Sequence, residues 1–283
     1  MTDQMPIRPV RSALFVPGSR PRAIEKAAGL GADMLILDLE DAAGPDEKIE
    51  ARGRVSEALK QWSGSGAIRA VRVNAIGSGL EGGDIAAACE ADAIVLPKVE
   101  SIADLQAARL LIPDGPPLWA MIETPKALFY LREIGEAAAP LGLAGLIAGT
   151  NDLAKTMKAK GREALIPHLA AILAAGRAWG LVPLDGVYNA YTDEAGFMAE
   201  ARAGKALGFA GKTLIHPSQV AGANTAFGPD ADEIARARRL VAAFALPENA
   251  GKGAIPFEGT MAERLHLAEA EAMLKQVEEQ DDT

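Results

Sequence analysis

The chain has 283 residues, 49% of them apolar and 24% charged, and a formal net charge of −9. This length suits a single α/β barrel, and an acidic chain without a Lys/Arg stripe argues against a nucleic-acid partner. Aromatic residues make up 5% and there is one cysteine, so the core must rest mainly on Ala, Leu, Ile and Val, and no intrachain disulfide can form. Cys89, in an Ala-rich stretch, reads as a small core residue. The opening MTDQMPIRPVR lacks the apolar segment of a signal peptide. The apolar runs are too short to cross a bilayer, and the expectation is a cytoplasmic enzyme with no membrane partner.

Residues 12–16 (SALFV) form the first short apolar run, and a helix is predicted over 22–29 with Ser19 as N-cap and Pro21 in its first turn. The second run, 33–39, leads to a helix at 45–60 that opens with Pro and acids and carries Ile49, Val55 and Leu59 at helical spacing. The third and fourth runs are 68–73 and 93–98; the helix after them, 101–111, opens with Ser101 and Asp104 spaced as in a capping box. The fifth run, 118–123, precedes a helix over 124–139 that begins beside Pro125. The sixth, 143–148, and the seventh, 181–187, weakened by Pro183, flank a helix at 163–180. A helix at 192–207 and the eighth run, 212–215, follow. Near-continuous apolar strands separated by helices predict a parallel sheet covered on both faces. Eight of them select a (β/α)8 TIM barrel over an open doubly wound sheet, and PGSRPR after the first strand is not a GxGxxG turn. The barrel is placed over residues 1–228 and a C-terminal helical extension over 229–283. The extension reads as a helix at 230–244, a Gly/Pro-rich loop (PENAGKGAIPFEGT) and a helix at 261–277 with Leu265, Ala268, Ala272 and Leu274 on its apolar side. It serves as packing or as a lid.

Chemistry in such a barrel sits where the strands end. Those ends carry Asp38, Glu40 and Asp41, then Arg72 and Asn74, Lys98, Glu123, the run Thr150, Asn151 and Asp152, Asp185, and His216. Glu123 and Asp152 end consecutive strands, which lie ~5 Å apart. Two carboxylates so placed can share a hard divalent ion, Mg2+ with Mn2+ as its substitute, completed by water and substrate oxygens. One Cys and three scattered His argue against zinc. Asp152 has a second reading as a helix N-cap. Arg72, on an apolar strand, needs an anionic partner. That partner is either a substrate carboxylate or oxyanion, held bidentately, or Asp38 or Glu40. Lys98 reads equally as a salt-bridge partner. Arg20, Arg22 and Lys26 after the first strand suit phosphates, although a solvated helix face looks the same. His168 and His266 fall within helical stretches and read as surface or packing residues.

The segments ALFVPGSRPRAIEKA, ADMLILDLEDAAGPDEKIEAR, VRVN, VLPKVES, MIETPKAL, AGTNDLA and GFAGKTLIHPSQV occur here in order. Over residues 11–261 the chain resembles the HpcH/HpaI aldolase–citrate lyase β-subunit family, in particular its malyl-CoA, citramalyl-CoA and citryl-CoA lyase branch. The resemblance implies a TIM barrel with Mg2+ on Glu123 and Asp152. It implies that Arg72 binds the substrate carboxylate and thioester oxygen, that Phe15, Arg22 and Lys26 contact the CoA part, and that Ile215 and His216 contact substrate. It also implies homotrimers or hexamers in which the C-terminal segment of one subunit caps a neighbour's site. Asp38 joins the catalytic candidates, and Thr150 and Asn151 join Glu123 among the substrate-binding ones.

Two positions depart from the pattern. Related lyases read GKMID or GSMID near the C-terminus, with the Asp as acid/base; here Glu263 stands in that place, one methylene longer. Asn151 stands where many relatives carry an acid, which removes a charge beside the metal. The implied reaction is retro-Claisen or retro-aldol cleavage of a 3-hydroxyacyl-CoA with a terminal carboxylate, giving a 2-keto acid and an acyl-CoA. Arg72 would stabilise the thioester enolate and Glu263 would move the proton. Other readings remain open: an aldolase for free 4-hydroxy-2-keto acids, and a barrel that binds an acyl-CoA or keto acid with little catalysis. Whether a thioesterase step follows condensation is left open by the sequence.

Overall fold

A computed structural model describes residues 10–41, Gly44 and residues 47–281. Eight parallel strands close into a barrel in sequential order. They are β1 (Ser12–Pro17), β2 (Met34–Asp38), β3 (Ile68–Arg72), β4 (Ala93–Leu96), β5 (Leu118–Ile122), β6 (Leu143–Ala148), β7 (Val182–Asp185) and β8 (Gly211–Leu214). Each lies within the predicted apolar run or one residue beyond it. The fold is a TIM barrel, and β8 closes onto β1 with Ser12 beside Lys212.

Helices alternate with the strands: α1 (Pro21–Ala27), α2 (Lys48–Gln61), α3 (Glu81–Ala87), α4 (Ile102–Leu111), α5 (Pro125–Phe129), α6 (Leu131–Glu136), α7 (Ala138–Leu141), α8 (Thr150–Met157), α9 (Ile166–Ala178), α10 (Glu194–Leu207) and α11 (Val220–Phe227). Several differ from expectation. Pro21 takes the first helical position of α1, so the cap falls on Arg20 rather than Ser19, and no side chain caps it. The expected start of the second helix at Pro45 lies outside the described residues, as do the first nine residues. The single helix expected over 124–139 is broken into α5, α6 and α7, with Tyr130 (φ −111°, ψ 10°) at one break and Ala137 at the other. α4 opens as predicted, the Ser101 N–H donating to Asp104 Oδ2 at 2.9 Å. Sequence periodicity did not mark α3 or α11; α8 begins at Thr150 with Gly149 as its N-cap, so Asp152, which had a second reading as the cap, falls in its first turn instead. Cys89, expected in the core, is exposed just after α3.

The strands alternate between two apolar layers, as period-two geometry requires. Leu14, Leu35, Leu37, Val71, Ile94 and Leu146 belong to a cluster shared with the helices. Ala13, Met34, Ile36, Ala70, Val95, Trp119, Met121 and Ile147 form a second cluster that fills the barrel, with Trp119 only 2% exposed. In an aromatic-poor chain this one indole supplies much of the interior volume. The inward stripe continues to the strand ends. Met34, Ile36 and Asp38 alternate along β2, as do Ile68, Ala70 and Arg72 along β3, while Trp119, Met121 and Glu123 alternate along and just past β5. Register then sets Pro17 beside Asp38 and Asp38 beside Arg72.

The chain divides into two compact units after Phe227. The second contains α12 (Ala231–Ala245), β9 (Ala254–Phe257), β10 (Thr260–Glu263) and α13 (Arg264–Asp281). Asp230 caps α12, accepting from the Glu233 N–H at 2.7 Å. The Gly/Pro-rich stretch read as loop forms the antiparallel β9–β10 hairpin. Its turn residues Glu258 and Gly259 have φ of 48° and 81°, the pair of positive values a tight hairpin turn demands. The buried side of α13 is Leu267, Ala270, Met273 and Leu274. Leu265, Ala268 and Ala272, expected on that side, are exposed, Leu265 to 65%, and the helix begins three residues later than predicted, after β10. Among the described residues no helix is long and apolar enough to cross a membrane.

Candidate active site

The inward stripes end at a cavity of about 490 Å³ on the C-terminal face of the barrel. Of the predicted site residues, Phe15, Asp38, Arg72, Glu123, Thr150, Asn151, Asp152 and Ile215 line it. Arg22 and Lys26 stand exposed on α1 and are not part of the lining, nor is His216. Glu263 lies in β10 of the second unit, where its backbone N–H donates to His266 Nδ1 at 2.9 Å.

Arg72 is gripped by acids. Nε and Nη2 donate to the two oxygens of Asp38, both at 2.8 Å; Nη1 lies 3.0 Å from Glu40 and Nη2 3.2 Å from Asp41. The ring of Phe15 lies under the guanidinium at 4.8 Å, a cation–π contact. Of the two partners the sequence offered Arg72, the structure displays the carboxylate pair. Burial disfavours the charge of Arg72, yet the hydrogen bonds and charges of Asp38, Glu40 and Asp41 outweigh it and hold the group protonated. The least committed donor is on Nη1, whose other neighbour is Met121 Sδ at 3.9 Å, a weak acceptor. Glu40 has its pKa raised, by burial first, against the opposing pull of Arg72 and Lys98.

The loop bearing these acids is pinned from below. Lys48 is buried, and its Nζ donates to the carbonyls of Leu39 at 2.5 Å and Glu40 at 2.7 Å and to Asn74 Oδ1 at 3.0 Å. Asn74 in turn donates to Asp84, which pairs with Arg52 at 2.8 Å.

Across the cavity, Glu123 follows β5 and is 2% exposed. Its Oε1 accepts the Lys98 backbone N–H at 2.7 Å. Burial pushes its carboxyl up to about 7, with the charges of Glu40 and Asp152 adding. Gly149 makes room for it, since a Cβ there would stand 2.2 Å from Glu123 Cβ and 2.6 Å from Oε2. Gly149 also caps α8 without a side chain, which leaves the first-turn amides of Thr150, Asn151 and Asp152 for a ligand to satisfy. The Thr150 hydroxyl is buried and has no hydrogen-bond partner among the described residues. Asn151 and Asn189 exchange amide hydrogen bonds at 2.7 and 3.2 Å.

Two carboxylates, one of them deeply buried and disfavoured as an anion, with an orphaned hydroxyl nearby, form an all-oxygen donor set that fits Mg2+. Among the described residues no group of three or more His, Cys, Asp or Glu is arranged to hold a metal.

Sequence reasoning missed Met121, Thr213 and Pro17 in the lining. Counting back two residues from Glu123 and Ile215, or on two from Phe15, finds all three, because inward positions repeat every second residue. It also missed the deep burial of Lys48, which no periodicity signals.

A protein-family model described as HpcH/HpaI aldolase/citrate lyase matches residues 11–217. A (3S)-malyl-CoA thioesterase of Cereibacter sphaeroides is 46% identical over 275 residues, covering 95% of each chain. An L-malyl-CoA/beta-methylmalyl-CoA lyase of the same species is 32% identical, covering 96% of each. The crystal structure of CitE from Mycobacterium tuberculosis in complex with magnesium, acetoacetate and coenzyme A matches with a TM-score of 0.76 at 31% identity, covering 94% of this chain and 97% of that one. The motifs, the closed barrel and these matches agree, and the chain belongs to the HpcH/HpaI aldolase/citrate lyase family.

Proposed function

We propose that the protein is a metal-dependent enzyme acting on a CoA thioester whose short acyl group carries a 3-hydroxyl and a terminal carboxylate, with malyl-CoA as the type, and that it hydrolyses the thioester. The cavity serves hydrolysis and carbon–carbon cleavage alike. The observation that carries hydrolysis is the 46% identity, along almost the whole chain, with a (3S)-malyl-CoA thioesterase.

In this reading Glu123 and Asp152 hold Mg2+, which when bound polarises substrate oxygens as a Lewis acid. The acyl carboxylate is received by the first-turn amides of α8 and the unpartnered Thr150 hydroxyl, with the helix dipole in support. Arg72 turns the Nη1 proton that faces Met121 Sδ to the thioester oxygen, keeping its Glu40 contact, and stabilises the oxyanion that develops there. Asp38 keeps the guanidinium charged and oriented. Phe15 forms an apolar wall for the pantetheine end, Ile215 and His216 contact it further out, and Arg22 and Lys26 on α1 attract the phosphates. Glu263, delivered by a neighbouring subunit of a trimer or hexamer, takes a proton from the attacking water. The C–S bond breaks, CoA leaves as the thiol, and the free hydroxy acid remains. A cytoplasmic location belongs to the same reading.

The second reading is the lyase, favoured by the 32% identical malyl-CoA/beta-methylmalyl-CoA lyase. There Arg72 stabilises a thioester enolate and Glu263 handles the hydroxyl proton. Mass-spectrometric product analysis with malyl-CoA separates the two. Malate and free CoA support hydrolysis; glyoxylate and acetyl-CoA support the lyase. Turnover of free 4-hydroxy-2-keto acids alone would move the site to an aldolase.

A further inference from the structure

Lys98 departs from ordinary backbone geometry. It follows Pro97 just after β4 and has a φ of 51°, in the left-handed region where a Cβ is disfavoured. After a Pro in a turn, Gly or Asn is the unstrained occupant of that place. Strain of this kind persists only where the surroundings over-determine it.

Two contacts do so here. The Lys98 amide N–H donates to Glu123 Oε1 at 2.7 Å, and its Nζ donates to Glu40 Oε1 at 2.5 Å. The other oxygen of Glu40 lies 3.0 Å from Arg72 Nη1. The backbone of Lys98 therefore grips the buried acid on one side of the cavity, while its side chain grips the acid that faces the guanidinium on the other. The amide occupies Oε1 of Glu123, and Oε2 is the oxygen packed toward Gly149 at the start of α8. A hydrogen bond to one oxygen fixes the plane of a carboxylate, the usual means by which an outer group orients a ligand.

We infer that Lys98 is a positioning residue that acts through its left-handed backbone: the turn aims its amide at Glu123 Oε1, presents Oε2 to a divalent cation, and through the ammonium and Glu40 fixes Arg72 relative to that cation. The inference rests on the proposed role of Glu123 as a metal ligand. Gly would adopt the same φ without strain but bring no ammonium; Lys supplies both contacts.

The test is calorimetric titration of the full chain with MgCl2, with thermal melting as the check on folding. Lys98→Gly keeps the backbone conformation and the amide, so its Mg2+ affinity should match that of the wild type, while its KM for malyl-CoA rises through the loss of the Glu40 contact. Lys98→Val, β-branched and excluded from that region, should bind Mg2+ about 10–100-fold more weakly. Wild-type affinity in Lys98→Val would overturn the inference. So would an equal loss in both variants, which would assign the effect to the ammonium. Should Lys98→Val fail to fold, Lys98→Ala, which brings a Cβ without branching, takes its place: Mg2+ binding weaker than in Lys98→Gly supports the backbone role, and equal binding in the two overturns it. A wild-type protein that binds no Mg2+ would instead remove the metal reading of Glu123, and the inference with it.

Discussion

Replacing Arg72 with Met should damage the protein in two separable ways. The Asp38 and Glu40 side chains that face it are only 6% and 8% exposed. Removing one partner of a buried ion pair leaves an uncompensated charge, at ~3–5 kcal/mol. A domain of this size loses roughly 2–4 °C per kcal/mol, so the melting temperature should fall by roughly 6–20 °C. Adding Asp38→Asn removes the stranded charge and should recover part of that loss. Turnover should behave differently. Losing a positioned donor to a developing oxyanion costs about 100–1000-fold in kcat, and Asp38→Asn should not restore it. Arg72→Lys keeps the charge without the planar fork, and should fall between the two in stability while remaining slow. Melting curves and steady-state kinetics on the single and double variants measure both effects. An Arg72→Met protein that melts like the wild type would refute the ion-pair argument, and a double variant with wild-type turnover would reduce Arg72 to a counter-ion of Asp38.

Four further outcomes are expected. Gly149→Ala puts a carbon 2.2 Å from Glu123 Cβ, about 1.5 Å inside ordinary contact; overpacking of this kind costs ~1–3 kcal/mol, and the displaced carboxylate should lose turnover about 100-fold or more, as kinetics and melting will show. Glu123, pushed up to about 7 chiefly by burial, holds its proton more tightly folded than unfolded. Its contribution to stability is therefore whole below the ordinary carboxylate range and lost as pH rises through about 7, so metal-free protein should melt lower at about pH 8 than at pH 5 by an increment absent in Glu123→Gln, and saturating Mg2+ should flatten the trend. Trp119→Ala, which hollows the barrel, should cost ~3–5 kcal/mol in denaturant unfolding. Glu263→Ala should slow turnover at least about 100-fold while Glu263→Asp retains most of it, and equal rates in all three proteins would exclude a proton-transfer role.

Much of the barrel was legible because its signal is physical and local. Near-continuous apolar runs such as LFV in β1 and LIL in β2 can lie only between two covering layers. The polar lining residues stand at the ends of those runs, and Glu123, Asp152 and Arg72 do converge on one cavity. What stayed hidden depends on the third dimension or on backbone angles. A left-handed Lys98 leaves no mark in composition, and the same holds for Lys48, whose ammonium is spent on two backbone carbonyls and Asn74 Oδ1. The β9–β10 hairpin was obscured because Gly251, Gly253 and Gly259 make the segment look like a loop, although Ile255, Phe257 and Ala262 bury its inner face. The break-up of the helix after Glu123 was equally invisible, since apolar spacing continues across Tyr130.

The most direct measurement is release of CoA from malyl-CoA by the purified protein, followed as free thiol, first after EDTA treatment and then with Mg2+ restored. The account predicts release with Mg2+, its loss with EDTA, and recovery when the ion returns. Release that continues undiminished in EDTA would contradict the metal role of Glu123 and Asp152, and no turnover of the thioester with Mg2+ present would contradict the proposed function itself.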